Sequence, residues 1–330
     1  MDNFVSIAGP NEMQRGVNIA KDPLASAKIF QYIISAMLET LMGIKTTSYH
    51  IQSEKGVFGE VAGYFGVVEA QGRGSLHVQM LVWLKHAPNG DNMVDLLWNN
   101  EFQEWITEYV WNTIHANLEG FDETFVQETT RHPAISYSQP IDPDENEWGM
   151  RFDAIEWELA RTWQVHVCKT TMCLCWNQHG ELTCKWHAPW PVETETQVDS
   201  NGKVHLVWQY PYLNGYCPEL LVALRCNMDT KFIMNGEETC DGTWYCTGYQ
   251  SKRQGQLYNV SGLLAMGFMF YKKHQQETST LLDNNWLFVY RCFNSLNQWN
   301  ELSGPQFMSY LMGWGTYSDR ITIHLFIGVS

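Results

Sequence analysis

Apolar side chains recur at helical intervals over residues 24–42, at Leu24, Ala27, Phe30, Ile34, Met37, Leu38 and Leu41. That spacing lays one stripe along an amphipathic helix. Asp22 and Pro23 suit its N-cap and first turn, and Gly43 suits its C-terminal stop. The pattern changes over residues 57–84. Val, Phe and Tyr are frequent up to Gln71, Gly72-Arg73-Gly74-Ser75 supplies a turn, and Leu76 to Leu84 is mostly apolar. Two β-rich runs about a short Gly-containing turn predict a hairpin. A second helical stripe crosses residues 92–118 through Met93, Leu96, Leu97, Trp105, Ile106, Tyr109, Val110 and Ile114. Pro140, Asp142, Pro143, Asp144 and Glu145 then read as a solvated loop. Farther on, Lys203–Tyr210 reads as strand and Pro218–Leu224 as a helix start. Residues 256–274 read as a helix with Leu257, Val260, Leu263, Leu264 and Phe268 on one face.

Composition bounds what these elements can build. The 330 residues are 45% hydrophobic, enough for a core in one large or two modest domains. No run of about 18 apolar residues predicts a membrane span. The N-terminal residues lack a basic region followed by an apolar run, so no signal peptide is expected. Nine cysteines without a secretory signal favour reduced thiols or metal ligands over a disulfide framework. Fifteen tryptophans suit either core filling or stacking on bases. A net charge of −15 argues at first against a nucleic-acid partner. The charge is unevenly placed, however. His86 to Val165 holds 16 acidic and 3 basic residues, whereas Ala70–Gly90 and Gly242–Gln276 hold no carboxylate. The acidity therefore weakens nucleic-acid binding without excluding it, and makes it strongly salt-dependent.

Two constellations carry candidate chemistry. On a strand, positions i and i+2 share a face, so His77 and Gln79 project together, and the preceding strand can bring Glu69 opposite them. An imidazole, an amide oxygen and a carboxylate suit Mg²⁺ or Mn²⁺. A structural histidine on an apolar strand accounts for the same residue. In the second constellation, Tyr245, Tyr249 and Lys252 line one helical stripe. A tyrosine hydroxyl needs a nearby cation to become a useful nucleophile at neutral pH, and Lys252 can supply that charge. A plain amphipathic helix edge fits this spacing as well.

The run Tyr64–Leu84, with Glu69, His77, Val78 and Gln79, resembles the Helitron helicase-like N-terminal domain. This is the replication-initiator, or HUH-endonuclease, module of Helitron transposons, especially fungal ones. His77 and Val78 match the first histidine and the hydrophobic residue of the HUH motif, while Gln79 replaces the second histidine. The resemblance implies metal ligation by Glu69, His77 and Gln79, with Gln79 the weaker ligand. It extends through Leu224–Asp229 and Asn235–Glu238 to Trp244–Gln254. There the family's Tyr-x-x-x-Tyr-x-x-Lys pattern falls on Tyr245, Tyr249 and Lys252. It implies tyrosine attack on single-stranded DNA, a 5′-phosphotyrosine intermediate and strand transfer.

A third cluster lies between these motifs. His166, Cys168, Cys173, Cys175, His179, Cys184 and His187 fall within 22 residues. Structural zinc and free buried thiols both fit that density. The candidate zinc pool is Cys168, Cys173, Cys175, Cys184 and His187, with Cys168, Cys173, Cys184 and one further Cys or His as ligands.

The expected fold is α+β: an HUH-type central antiparallel sheet, flanking helices and a Cys/His-rich insertion. The resemblance divides the chain into an HUH-motif half (17–160), a Cys/His-rich segment (161–200), a catalytic-tyrosine half (201–315) and a divergent tail (316–330). It further implies nuclear localisation, truncation at both ends and one exposed sheet edge. The family's fused helicase has no counterpart here, for no Gly-x-x-x-x-Gly-Lys-Ser/Thr loop occurs. Gln79 and the ragged ends leave a second reading open, a catalytically dead remnant that binds DNA or a protein partner.

Overall fold

A computed structural model describes residues 12–46, 51–71, 75–88, 90–137, 142, 144, 146–170, 173–199, 203–234, 236–251, 265, 268–269, 272, 304–312 and 325–328. The fold is α+β. Helix α1 (Glu12–Lys21) leads into α2 (Pro23–Ala36), which ends in a π-helical turn over Met37–Leu41. The predicted cap is present, with the Asp22 carboxylate accepting from the Ala25 amide at 2.9 Å. Gly43 ends the helical run at φ +65°, a conformation that favours glycine. A side chain there would also meet the Glu54 carbonyl oxygen at 2.5 Å.

Strands β1 (Ile44–Thr46) and β2 (Ile51–Ser53) pair antiparallel. The predicted hairpin forms from β3 (Val61–Gln71) and β4 (Ser75–Leu84). The second helical stripe divides in two, α3 (Gly90–Leu96) and α4 (Asn100–Thr113). The Asn99 side chain causes the break by accepting from the Glu101 and Phe102 amides, so it caps a new helix. Next come α5 (Glu123–Glu128), α6 (Trp148–Leu159) and a π-helical turn over Ala160–Gln164. Two small hairpins follow, β5 (Leu174–Trp176) with β6 (Leu182–Cys184) and β7 (Gln197–Val198) with β8 (Val204–His205). The strand predicted over Lys203–Tyr210 is thus only the two residues of β8. The rest of the described chain forms α7 (Pro218–Leu224), β9 (Thr230–Ile233), α8 (Gly236–Ser251), α9 (Gly304–Leu311) and β10 (Leu325–Gly328). Most of the helix predicted over 256–274 lies outside the described residues.

The largest sheet has the order β3-β4-β10-β9. The β3–β4 pair is antiparallel, while β10 runs parallel to both β4 and β9. The tail therefore supplies a strand beside the motif strand.

One main core draws on residues from Ile34 to Met234. It takes Val78, Met80 and Val82 from β4, Ile106 and Val110 from α4, Leu159 from α6, and Leu220 and Leu221 from α7. Alternation along β4 then puts His77, Gln79 and Leu81 on the opposite face of the sheet. A polar network crosses the core. Buried Glu156 accepts from the Tyr216 hydroxyl at 2.9 Å, and its same oxygen lies 2.9 Å from His115 Nδ1.

Candidate functional site

The β3–β4 register determines which motif residues meet. His77 lies directly opposite Glu69, and Gln79 opposite Val67. Val68 and Val78, the next pair, face the main core, so positions 69, 77 and 79 fall on the other face. Gln79 is 1% exposed, and His77 is half-buried. A buried amide beside an imidazole on an otherwise apolar strand is expensive unless it is used. These donor types suit a hard divalent ion with partial nitrogen ligation.

Tyr245 and Tyr249 lie on α8, which packs against both β3 and β4. No described α8 side chain belongs to the main core. Lys252 lies outside the described residues.

The Cys/His segment is built around a second centre. His166 Nε2 lies 3.3 Å from Cys168 Sγ, 3.4 Å from Cys184 Sγ and 3.6 Å from Cys173 Sγ. All four donor atoms fall within 4.8 Å of one another. Tetrahedral zinc, with Zn–S near 2.3 Å and Zn–N near 2.0 Å, implies N···S edges of about 3.5 Å. The group can therefore hold a metal ion such as zinc.

Local backbone geometry explains how the four residues converge. The His166 amide donates to the Tyr212 carbonyl at 2.7 Å, tying this segment to the body of the protein. The Lys169 amide donates to Cys173 Sγ at 3.2 Å, and the Lys185 amide to the Cys173 carbonyl at 2.8 Å. Antiparallel pairing sets Leu174 opposite Cys184, so β6 delivers the last thiol. His187 then turns the chain at φ +61°, with its amide donating to the Cys184 carbonyl at 2.8 Å. A small apolar cluster of Cys173, Cys184 and Ala188 packs with Trp190 and Tyr212.

Electrostatics favours a cation here. Burial, with Arg131 nearby, lowers the His166 pKa and keeps its imidazole neutral, as ligation requires. Burial pushes the Cys168 thiol up to about 12, reinforced by Cys184 and Cys173. Burial also opposes ionisation of Cys184. The Trp186 and Ala188 amides and the neighbouring thiols outweigh it and lower that pKa. The Cys184 thiolate is thus favoured over that of Cys168.

The expected zinc pool is only partly assembled. Cys168, Cys173 and Cys184 meet, and His166 takes the fourth place. Cys175 is exposed, its thiol directed at the Thr183 carbonyl at 3.6 Å, and His187 is also exposed. His166 was legible as the start of a His-x-Cys run, but spacing alone does not separate it from the other histidines.

Residues 5–82 match the family described as the Helitron helicase-like domain at N-terminus. Over this stretch the chain is similar to the Helitron helicase-like N-terminal domain. The matched stretch includes Glu69, His77 and Gln79 and ends well before the Tyr245–Tyr249 segment. No curated protein and no solved structure matches the chain significantly. Among the described residues, no helix is long and apolar enough to cross a membrane.

Proposed function

We propose that this Helitron-like protein nicks single-stranded DNA and transfers the strand through a 5′-phosphotyrosine intermediate. The observation that carries the proposal is the packing of α8, which bears Tyr245 and Tyr249, against the hairpin that bears Glu69, His77 and Gln79. Glu69, His77 and Gln79 would hold Mg²⁺ or Mn²⁺, which supplies Lewis-acid polarisation of the scissile phosphate. Tyr245 or Tyr249 loses its proton and attacks phosphorus. The Oη–P bond forms, the P–O3′ bond breaks, and a free 3′-hydroxyl leaves. The second tyrosine serves a second transfer. Lys252 stabilises charge on the transferring phosphoryl group. The matched family supports nuclear action on transposon DNA.

Incubation with 3′-labelled single-stranded DNA and Mn²⁺ tests this reading, since the 5′-phosphotyrosine product keeps the 3′ end of the strand. A covalent protein–DNA adduct is expected, lost when Tyr245→Phe is combined with Tyr249→Phe. The absence of an adduct, or an adduct indifferent to both tyrosines, would refute the mechanism.

A further inference from the structure

The His166–Cys168–Cys173–Cys184 group anchors a hairpin whose outer surface the nicking chemistry does not use. Trp176 on β5 is 73% exposed and stands opposite Leu182, itself exposed. At the base of the hairpin Trp186 is exposed, and Lys185 Nζ sits 4.8 Å from its ring centroid. The Trp186 ring meets His166 edge-on at 5.2 Å, and its carbonyl accepts from the Trp190 indole at 3.0 Å. Its backbone is thus held by the metal group's own neighbours. Exposed rings on a held backbone lose little entropy on binding.

Local charge selects the class of partner. From Val165 to Pro191 the only carboxylate is Glu181, against Lys169 and Lys185, both exposed. The Asn177 side-chain amide donates to Glu181 at 3.0 Å. The exposed Trp105 and Trp111 on α4 make the contrast, since Glu101, Glu104 and Glu108 share their face. That acidic face repels phosphate. The β5–β6 surface pairs aromatic faces with cations, as single-strand recognition requires.

We infer that the β5–β6 hairpin is a binding surface for single-stranded DNA, with Trp176 and Trp186 stacking on bases and Lys185 meeting phosphate. The inference rests on the reading of single-stranded DNA as substrate and gives that substrate a second contact away from the tyrosines.

The test is fluorescence anisotropy of a labelled oligothymidylate with the full zinc-loaded chain, without added Mg²⁺ or Mn²⁺ so that no cleavage intervenes. Trp176→Ala should weaken binding about five-fold or more. Trp176→Phe should restore most of the affinity, because it keeps a stacking face. Lys185→Ala should weaken binding and flatten its salt dependence. Zinc content equal to that of the unmodified chain confirms that these exposed substitutions leave the hairpin intact. Unchanged affinity in Trp176→Ala and Lys185→Ala overturns the inference and leaves the nicking reading standing. Failure of the unmodified chain to bind the oligonucleotide overturns both. Loss in Trp176→Ala that Trp176→Phe does not restore also overturns base stacking.

Discussion

At the residue scale, Glu156 is a buried carboxylate with two partners. It serves both the Tyr216 hydroxyl and His115. Removing it leaves two core polar groups without their acceptor, and Glu156→Ala should cost about 3 kcal/mol in chemical denaturation. The same network gives a pH signature. Burial and Glu156 push the Tyr216 pKa well above its ordinary value of 10.0. Burial raises Tyr109 as well, and burial with Glu123 pushes Tyr210 up to about 12. A raised folded pKa favours the protonated form, so this stability is full below about pH 10 and is lost as pH rises toward the folded values. Urea midpoints should fall from pH 10 upward, and Tyr216→Phe should flatten that limb. Gln79→His tests the metal reading at one position. A second imidazole should tighten Mn²⁺ binding and raise adduct yield, measured by Mn²⁺ titration of the nicking reaction.

At the scale of elements, β5 and β6 are three residues each, and the Cys/His group lies at the end of their hairpin. So short an isolated hairpin is marginal in water. Its apolar support is three buried residues with four partly buried neighbours. Chelation, or Cys184→Ser, should release bound zinc and abolish slow hydrogen exchange over residues 173–190. The main core, built from α2, β4, α4, α6 and α7, should remain protected. Simultaneous unfolding of both regions would show that the hairpin is not a separate unit.

At the scale of the whole molecule, β10 joins β4 to β9. Without it both strands present unpaired edges, which invite intermolecular pairing. Ending the chain after Thr322 should lower the melting temperature and increase aggregation during refolding, measured by light scattering. The charge distribution acts at this scale too. Lys169 and Lys185 favour phosphate locally, whereas the −15 net charge opposes it globally. Single-strand affinity should therefore be modest and fall steeply between about 50 and 200 mM salt.

Local pattern was enough for the elements whose causes are local. The Asp22 cap, the Gly43 stop, the β3–β4 hairpin and α7 each follow from a few neighbouring residues. The alternation that groups His77 with Gln79 is likewise a property of one strand. Periodicity alone ran α3 and α4 together, because the Asn99 cap is a competing side-chain hydrogen bond inside an otherwise continuous stripe. The sequence by itself determined the α+β class, the Helitron resemblance and the candidate residue types. Only tertiary structure chose His166 over Cys175 and His187, set α8 on the motif hairpin, and drew the tail into the sheet. Those outcomes depend on distances between segments far apart in the chain, where residue spacing gives no measure of proximity.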